Sequence, residues 1–254
     1  MKFLEFLGRH IIQRLTALGI VTLLYFESMR RVFKKPRISS IINQMLHLGV
    51  NSLTIVSLTL GFTGVVLTLQ TASQFIKFGA ESTLGAVVAI AIGRELGPVL
   101  VGIVCAGRVG SAITAEISTM KVTEQIDALK VMAVNPIDYL IVPRMIACMI
   151  AVPLLTIFGD IIGLLGGLVI AVFYSGISST IFFNSIEIFC DSFDLTGGVI
   201  KAIFFGSIIA VLGCYYGLNS PDGAEGVGKA TTRTVVSSII AIFVFNALLT
   251  FVLF

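Results

Sequence analysis

Three charged side chains lie in segments otherwise too apolar to welcome them: Arg94, Glu95 and Lys201. Arg94 and Glu95 are adjacent, midway along an apolar run, and Lys201 stands near one end of another. A charge at membrane depth costs a few kcal/mol and is tolerated when it faces a partner or a polar cavity. The plain reading is mutual compensation between neighbouring helices, with no ligand. The functional reading is a polar patch in a cavity that holds an amphiphile. A molecule with a charged head and apolar tails needs both kinds of lining, and Val66, Leu67 and Leu69 on the preceding apolar run are candidate tail contacts. Gly97-Pro98 directly follow the charged pair and predict a kink there, because proline removes a backbone donor and crowds the preceding turn. Broken helices at membrane depth often border a site.

A second candidate, Gly223-Ala-Glu-Gly-Val-Gly-Lys229, meets the first seven positions of a phosphate-binding loop. The eighth is Ala230, so the hydroxyl that would hold Mg²⁺ is missing, and a turn rather than a strand precedes it. Nucleotide binding is rejected, and Lys229 and Arg233 are read as anchors of the span that follows. There is no GxSxG run, no metal-ligand constellation and no paired-aspartate motif, so the chain is read as a non-enzyme without metal or cofactor of its own.

The elements that position these residues follow from hydropathy. Of the 254 residues 56% are apolar and 12% charged, with a mean hydropathy of +1.03. No Asp, Glu, Lys or Arg occurs from Ile38 to Ile76 or from Thr234 to Phe254. About 20 apolar residues cross the hydrocarbon core, and five spans are predicted, over 48–72, 84–106, 145–173, 197–218 and 233–253. With the N-terminus inside, segments 1–45, 107–144 and 219–233 are cytoplasmic and hold 14 of the 17 basic residues. The outer segment 174–196 carries only acids, and the C-terminus lies outside. This bias accounts for the net charge of +3 without any nucleic-acid partner. The four cysteines are read as free thiols. Glycines at 93/97, 159/163/167 and 213/217 have the four-residue spacing that lets helix backbones approach.

Two of the segments outside the spans carry a pattern of their own. Residues 1–37 read as an interfacial helix followed by a basic elbow. Phe3, Phe6, Leu7, Ile11, Leu15 and Leu18 repeat at helical spacing, with Arg9 and Arg14 within reach of head groups. The basic cluster from Arg30 to Arg37 adds attraction to anionic lipid. Residues 107–133 read as a polar helix with one apolar side, supported by Lys121–Glu124 and Asp127–Lys130 at i,i+3 and closed by Asn135-Pro136. Periodicity leaves two roles open for it, a helix resting on the membrane surface or a docking element for a soluble partner.

The run Glu95-Leu-Gly-Pro98, AGRVGSAITAEISTMKVTEQIDAL from Ala106, Met132-Ala-Val-Asn-Pro136 and Pro143-Arg144, with Gly226 to Val235 before the last span, resembles the MlaE (YrbE) permease family from residue 40 onward. The resemblance implies a homodimeric permease of an ABC transporter that moves phospholipids between inner and outer membranes. It implies an ATPase partner that binds the ATP, and an MCE-domain lipid-binding protein on the outer side. Residues around 110–132 would form the coupling helix on the ATPase, with Glu116, Lys121, Glu124, Gln125 and Asp127 as its contacts. Positions matching Arg94, Glu95 and Lys201 would lie near the lipid path. Two positions depart from the family pattern. Asn246 stands where relatives commonly have Asp, and Asn43 where some have a basic residue.

The expectation is therefore a single all-α integral membrane domain, 1–254, in the inner membrane: an interfacial helix, five spans and a cytoplasmic coupling helix. Its rival is an ion-coupled secondary transporter that uses the Arg94–Glu95 pair; such a protein would be expected to carry more acids at membrane depth, where Asp160 is the only other clear one.

Overall fold

Long apolar runs in lipid have no water to satisfy their backbone, so they close their hydrogen bonds internally as helices. The computed structural model describes residues 2–32 and 38–254, without the side chains of residues 2–11, 13 and 14. Phe3, Phe6, Leu7, Arg9, Ile11 and Arg14, and most of the basic elbow, therefore lie outside the described side chains. Among the described residues there is no strand. The helices are α1 (Lys2–Val32), α2 (Ile38–Gly49), α3 (Leu53–Lys77), α4 (Leu84–Ala91), α5 (Gly97–Cys105), α6 (Ser111–Val122) and α7 (Gln125–Val131). They continue with α8 (Val142–Phe173), α9 (Ser179–Phe189), α10 (Ser192–Leu218) and α11 (Gly223–Leu253).

Five stretches are long and apolar enough to cross a membrane: Ile38–Lys77, Glu81–Val122, Ile137–Phe173, Ser192–Leu218 and Gly223–Leu253. They contain the five predicted spans and extend them. The second is helical throughout but irregular, since π-helical turns at Ile92–Leu96 and Ala106–Gly110 separate α4, α5 and α6. A third π turn, Ile137–Ile141, opens α8.

The centre of the bundle is α8 and α10, which pack on each other and on α3, α5 and α6. Small residues set these approaches. A Cβ at Gly64 would overlap the Gly163 carbonyl, and one at Gly206 the Cys148 carbonyl. Gly213 and Gly217 admit the side chains of Ile113 and Ile117. The glycine spacings noted in the sequence thus lie at helix contacts, as close backbone packing in lipid requires. At the other extreme, only 11% of the α11 window is buried within the chain, against 67% for α10.

Two expectations change. Residues 107–133 do not form one helix. Glu124 adopts the left-handed conformation with φ 57°, which breaks the segment into α6, a continuation of the second span, and the short α7. Lys121 does not pair with Glu124; its ammonium donates to the Ser220 carbonyl at 2.6 Å. The α6 end is thereby tied to the turn before α11. Asp127–Lys130 does pair, at 2.7 Å.

The C-terminal half of α1 packs against α8 and α10. The Tyr25 and Ser207 hydroxyls are 3.1 Å apart, and Arg31 donates to both Asp138 (2.8 Å) and Glu27 (2.7 Å). The hydrogen bond to Asp138 is the chief reason that the Arg31 guanidinium sits above its ordinary pKa, and with the help of Glu27 it outweighs the opposing effect of burial. All four cysteines are free, and Cys105, Cys148 and Cys214 are buried.

Candidate functional site

The irregular turn in the second span exists because of Gly97-Pro98. Gly97 N–H bonds back to the Ile92 carbonyl, five residues earlier, and Pro98 has no N–H to offer any carbonyl. The carbonyls of Gly93 and Arg94, where Pro98 would otherwise have donated, are therefore left for other helices to cover. Helix α10 covers both, one turn apart. The Gly93 carbonyl rests against Gly198, where any Cβ would overlap it. The Lys201 ammonium donates to the Arg94 carbonyl at 2.9 Å.

Lys201 spends its other two protons in the same place. It donates to Glu95 Oε1 at 2.7 Å and to the Thr250 hydroxyl at 2.8 Å. A fully buried ammonium is tolerated when all three donors are satisfied and a carboxylate opposes the charge. The Glu95 carboxylate is also held by Asn246, whose Nδ2 donates to Oε2 at 2.8 Å. The Thr250 hydroxyl lies 2.9 Å from Glu95 Oε1 and 2.8 Å from the Asn246 carbonyl, with one proton for either. The last span thus supplies Asn246 and Thr250, four residues apart and on one helical face.

Arg94 turns the other way. Its Nε donates to Asp194 Oδ1 at 2.6 Å, and the guanidinium lies 4.0 Å from the centre of the Phe254 ring. Gly197 leaves room for that ring. Asp194 has two duties, since its Oδ2 accepts the Asp191 N–H at 2.9 Å in the reciprocal capping box that starts α10. Beside it, burial first, then the Asp194 and Asp191 carboxylates, push the Cys190 thiol above the ordinary thiol range.

The structure therefore brings Arg94, Glu95 and Lys201 together and places Gly97 and Pro98 at the break that makes their pairing possible. Val66 is 49% exposed, facing outward from α3, and Leu67 is half-buried against the core. Asp194, Asn246 and Thr250 escaped the sequence reading. Asp194 appeared only as one of several acids in a connecting segment, and Asn246 only as a departure from a family pattern. The usable signal was the Asn246/Thr250 pair at helical spacing in a run without charges.

The residues assigned to coupling separate into two environments. Glu116 accepts from Arg144 Nη2 at 2.8 Å, and Arg144 also donates to the Leu140 carbonyl, so this pair joins α6 to the start of α8. Glu124, Gln125 and Asp127 are exposed, on or beside α7, with Val131 and Met132 exposed just after them. The run that imitates a phosphate-binding loop is the first two turns of α11, where Lys229 pairs with Glu225 at 2.6 Å.

Comparisons with known proteins agree on one family. The family model described as Permease MlaE matches residues 41–252. A probable ABC transporter permease protein of Rickettsia prowazekii is 43% identical over 98% of this chain and 97% of its own length. One from Synechocystis is 47% identical over 84% of this chain and 81% of its own. One from Porphyra purpurea is 42% identical over 78% and 76%.

Proposed function

From the premise that this chain belongs to the MlaE permease family and is an ABC transporter permease, we propose that it moves phospholipids between the inner and outer membranes. The observation that carries the lipid reading is the uneven exposure of the charged site. Lys201 is fully buried, whereas the Glu95 and Arg94 side chains are 37% and 38% exposed. A partly open charged surface at membrane depth, with the partly exposed Phe254 ring 4.0 Å from the Arg94 guanidinium, offers a head group and acyl chains what each needs. The charges are already paired, so a phosphate or ammonium head group competes for existing partners and need not meet a bare charge.

An ABC permease draws on ATP hydrolysed by a separate subunit. In this proposal that subunit docks on the exposed face of α7, with Glu124, Gln125 and Asp127 as contacts and Val131 and Met132 as apolar anchors. The distribution of basic residues supports α7 and the N-terminus on the cytoplasmic side of the inner membrane and α9 on the outer side, where an MCE-domain protein would receive or deliver lipid. The thinly covered α11 suits a second copy of the chain in a homodimer. Energy from ATP leaves the ion-coupled reading of Arg94–Glu95 without a role.

The test is purification in mild detergent, followed by mass spectrometry of bound lipid and co-eluting protein. Glycerophospholipid and an ATPase are expected with the parent chain, and lipid is expected to fall sharply with Glu95→Ala while the ATPase stays. A lipid-free complex, or lipid content indifferent to Glu95, would overturn the lipid reading.

A further inference from the structure

Helix α9 joins the ends of α8 and α10, and it is too short and too amphipathic to be a span. Its start is capped by the Ser178 hydroxyl, which accepts the Thr180 N–H at 3.3 Å. The helix packs against α4, the first two turns of the second span, as well as against α8. The contact is intimate. The Ser185 hydroxyl accepts the Ala86 N–H at 3.0 Å, and a Cβ at Gly85 would overlap the Phe182 carbonyl. A helix fastened to the terminal turns of a membrane span lies at the depth of those turns.

At about 100° per residue, Phe182 and Ser185 share the face buried on α4. Thr180, Asn184 and Glu187 fall together on the opposite arc. Between these two arcs lie two apolar flanks, Phe183 on one side and Ile181 and Ile188 on the other. The flanks are open, with Phe183 54%, Ile181 42% and Ile188 71% exposed. Exposed apolar side chains also mark the neighbouring span ends, Phe173 and Tyr174 at the end of α8 and Phe193 and Leu195 in α10. A belt of this kind, aromatic and aliphatic below a polar ridge, is the pattern of a helix lying in a membrane interface. No Lys or Arg occurs between Phe173 and Lys201, while Glu187 and Asp191 are acidic. Nothing on this face attracts anionic head groups.

We propose that α9 is an interfacial helix, seated by both apolar flanks among the acyl chains of a zwitterionic leaflet, with Thr180, Asn184 and Glu187 turned to water. It holds the first turns of the second span at that depth, and with them the π turn that carries Arg94 and Glu95. Its occupant is lipid and not a soluble partner, because α9 is fastened to the terminal turns of the second span, where head groups and acyl chains meet, and the neighbouring span ends are themselves exposed and apolar. The inference needs only that the spans cross a membrane, so it stands or falls apart from the transport reading.

The chain contains no tryptophan, so single substitutions report without background. Phe183→Trp and Ile188→Trp probe the flanks and Asn184→Trp the ridge, in phosphatidylcholine nanodiscs with ordinary or brominated acyl chains and with iodide in the buffer. Brominated lipid is expected to at least halve the emission of both flank tryptophans, which iodide leaves unchanged; the ridge tryptophan shows the reverse. Flank tryptophans quenched by iodide would overturn the proposal in favour of a free docking face. Flank tryptophans quenched by neither agent would overturn it in favour of cover by protein. Ile181→Trp, on the same flank as Ile188, repeats the reading there if Ile188→Trp fails to fold.

Discussion

Lys201–Glu95 and Lys130–Asp127 are ion pairs of the same chemistry and the same length, 2.7 Å in each case. Their settings differ in nearly every other respect. Lys130 and Asp127 are neighbours on one turn of α7, 61% and 68% exposed, and water competes for both. Lys201 is fully buried at membrane depth, donates to three acceptors from two other helices, and closes a carbonyl that Pro98 left open. Distance alone says nothing about what a pair is worth. The cost of removing one member depends on whether water can take its place.

The largest effect that separates the two regions is expected from Lys201→Met. Loss of the ammonium strands the Arg94 carbonyl and leaves Glu95 without its counter-charge, for a cost of about 3–5 kcal/mol. Thermal unfolding in detergent measures it, and a melting temperature equal to that of the parent would remove the contrast between the regions. Gly198→Ala attacks the same junction from the backbone side, since its Cβ overlaps the Gly93 carbonyl. Forcing α10 away from the π turn is expected to cost about 1–3 kcal/mol.

An intermediate case sharpens the scale. Arg144 is 7% exposed and its Glu116 partner is half-open. Glu116→Ala leaves the guanidinium only the Leu140 carbonyl, at an expected cost of about 1–3 kcal/mol. If the loss matched that of an exposed pair, burial of one partner alone would not be enough to make a pair matter. The smallest structural effect belongs to Asp127→Lys, about 0.3 kcal/mol. On the proposed docking of an ATPase at α7, that variant, and Glu124→Lys, are expected to leave folding and membrane insertion intact while uncoupling ATP hydrolysis from transport. Unchanged transport would remove α7 from the docking surface.

The number of spans, their approximate places and the existence of charges at membrane depth were legible in the residues themselves. Hydropathy is a property of local composition, and a run without charges such as 234–254 needs no tertiary context to be read. A disturbance of the helix at Gly97-Pro98 was legible for the same reason, since proline lacks a donor wherever it stands; its form, a π turn over Ile92–Leu96 in a span that stays helical, was not. The partners of those charges were not legible. Lys201 is 106 residues from Glu95, and Thr250 is 155 residues from it. Only the docking of α10 and α11 on the π turn decides that these groups meet, and that docking rests on where glycines let backbones touch. Glu124 makes the same point on a smaller scale. Its neighbours favour a continuous helix, but α6 is held at Ser220 through Lys121 and α7 packs through Ile126 and Leu129. A left-handed residue joins the two, at a strain of order 1 kcal/mol that packing on either side offsets. Composition determined what crosses the membrane, and close helix contact decided which charges share a site.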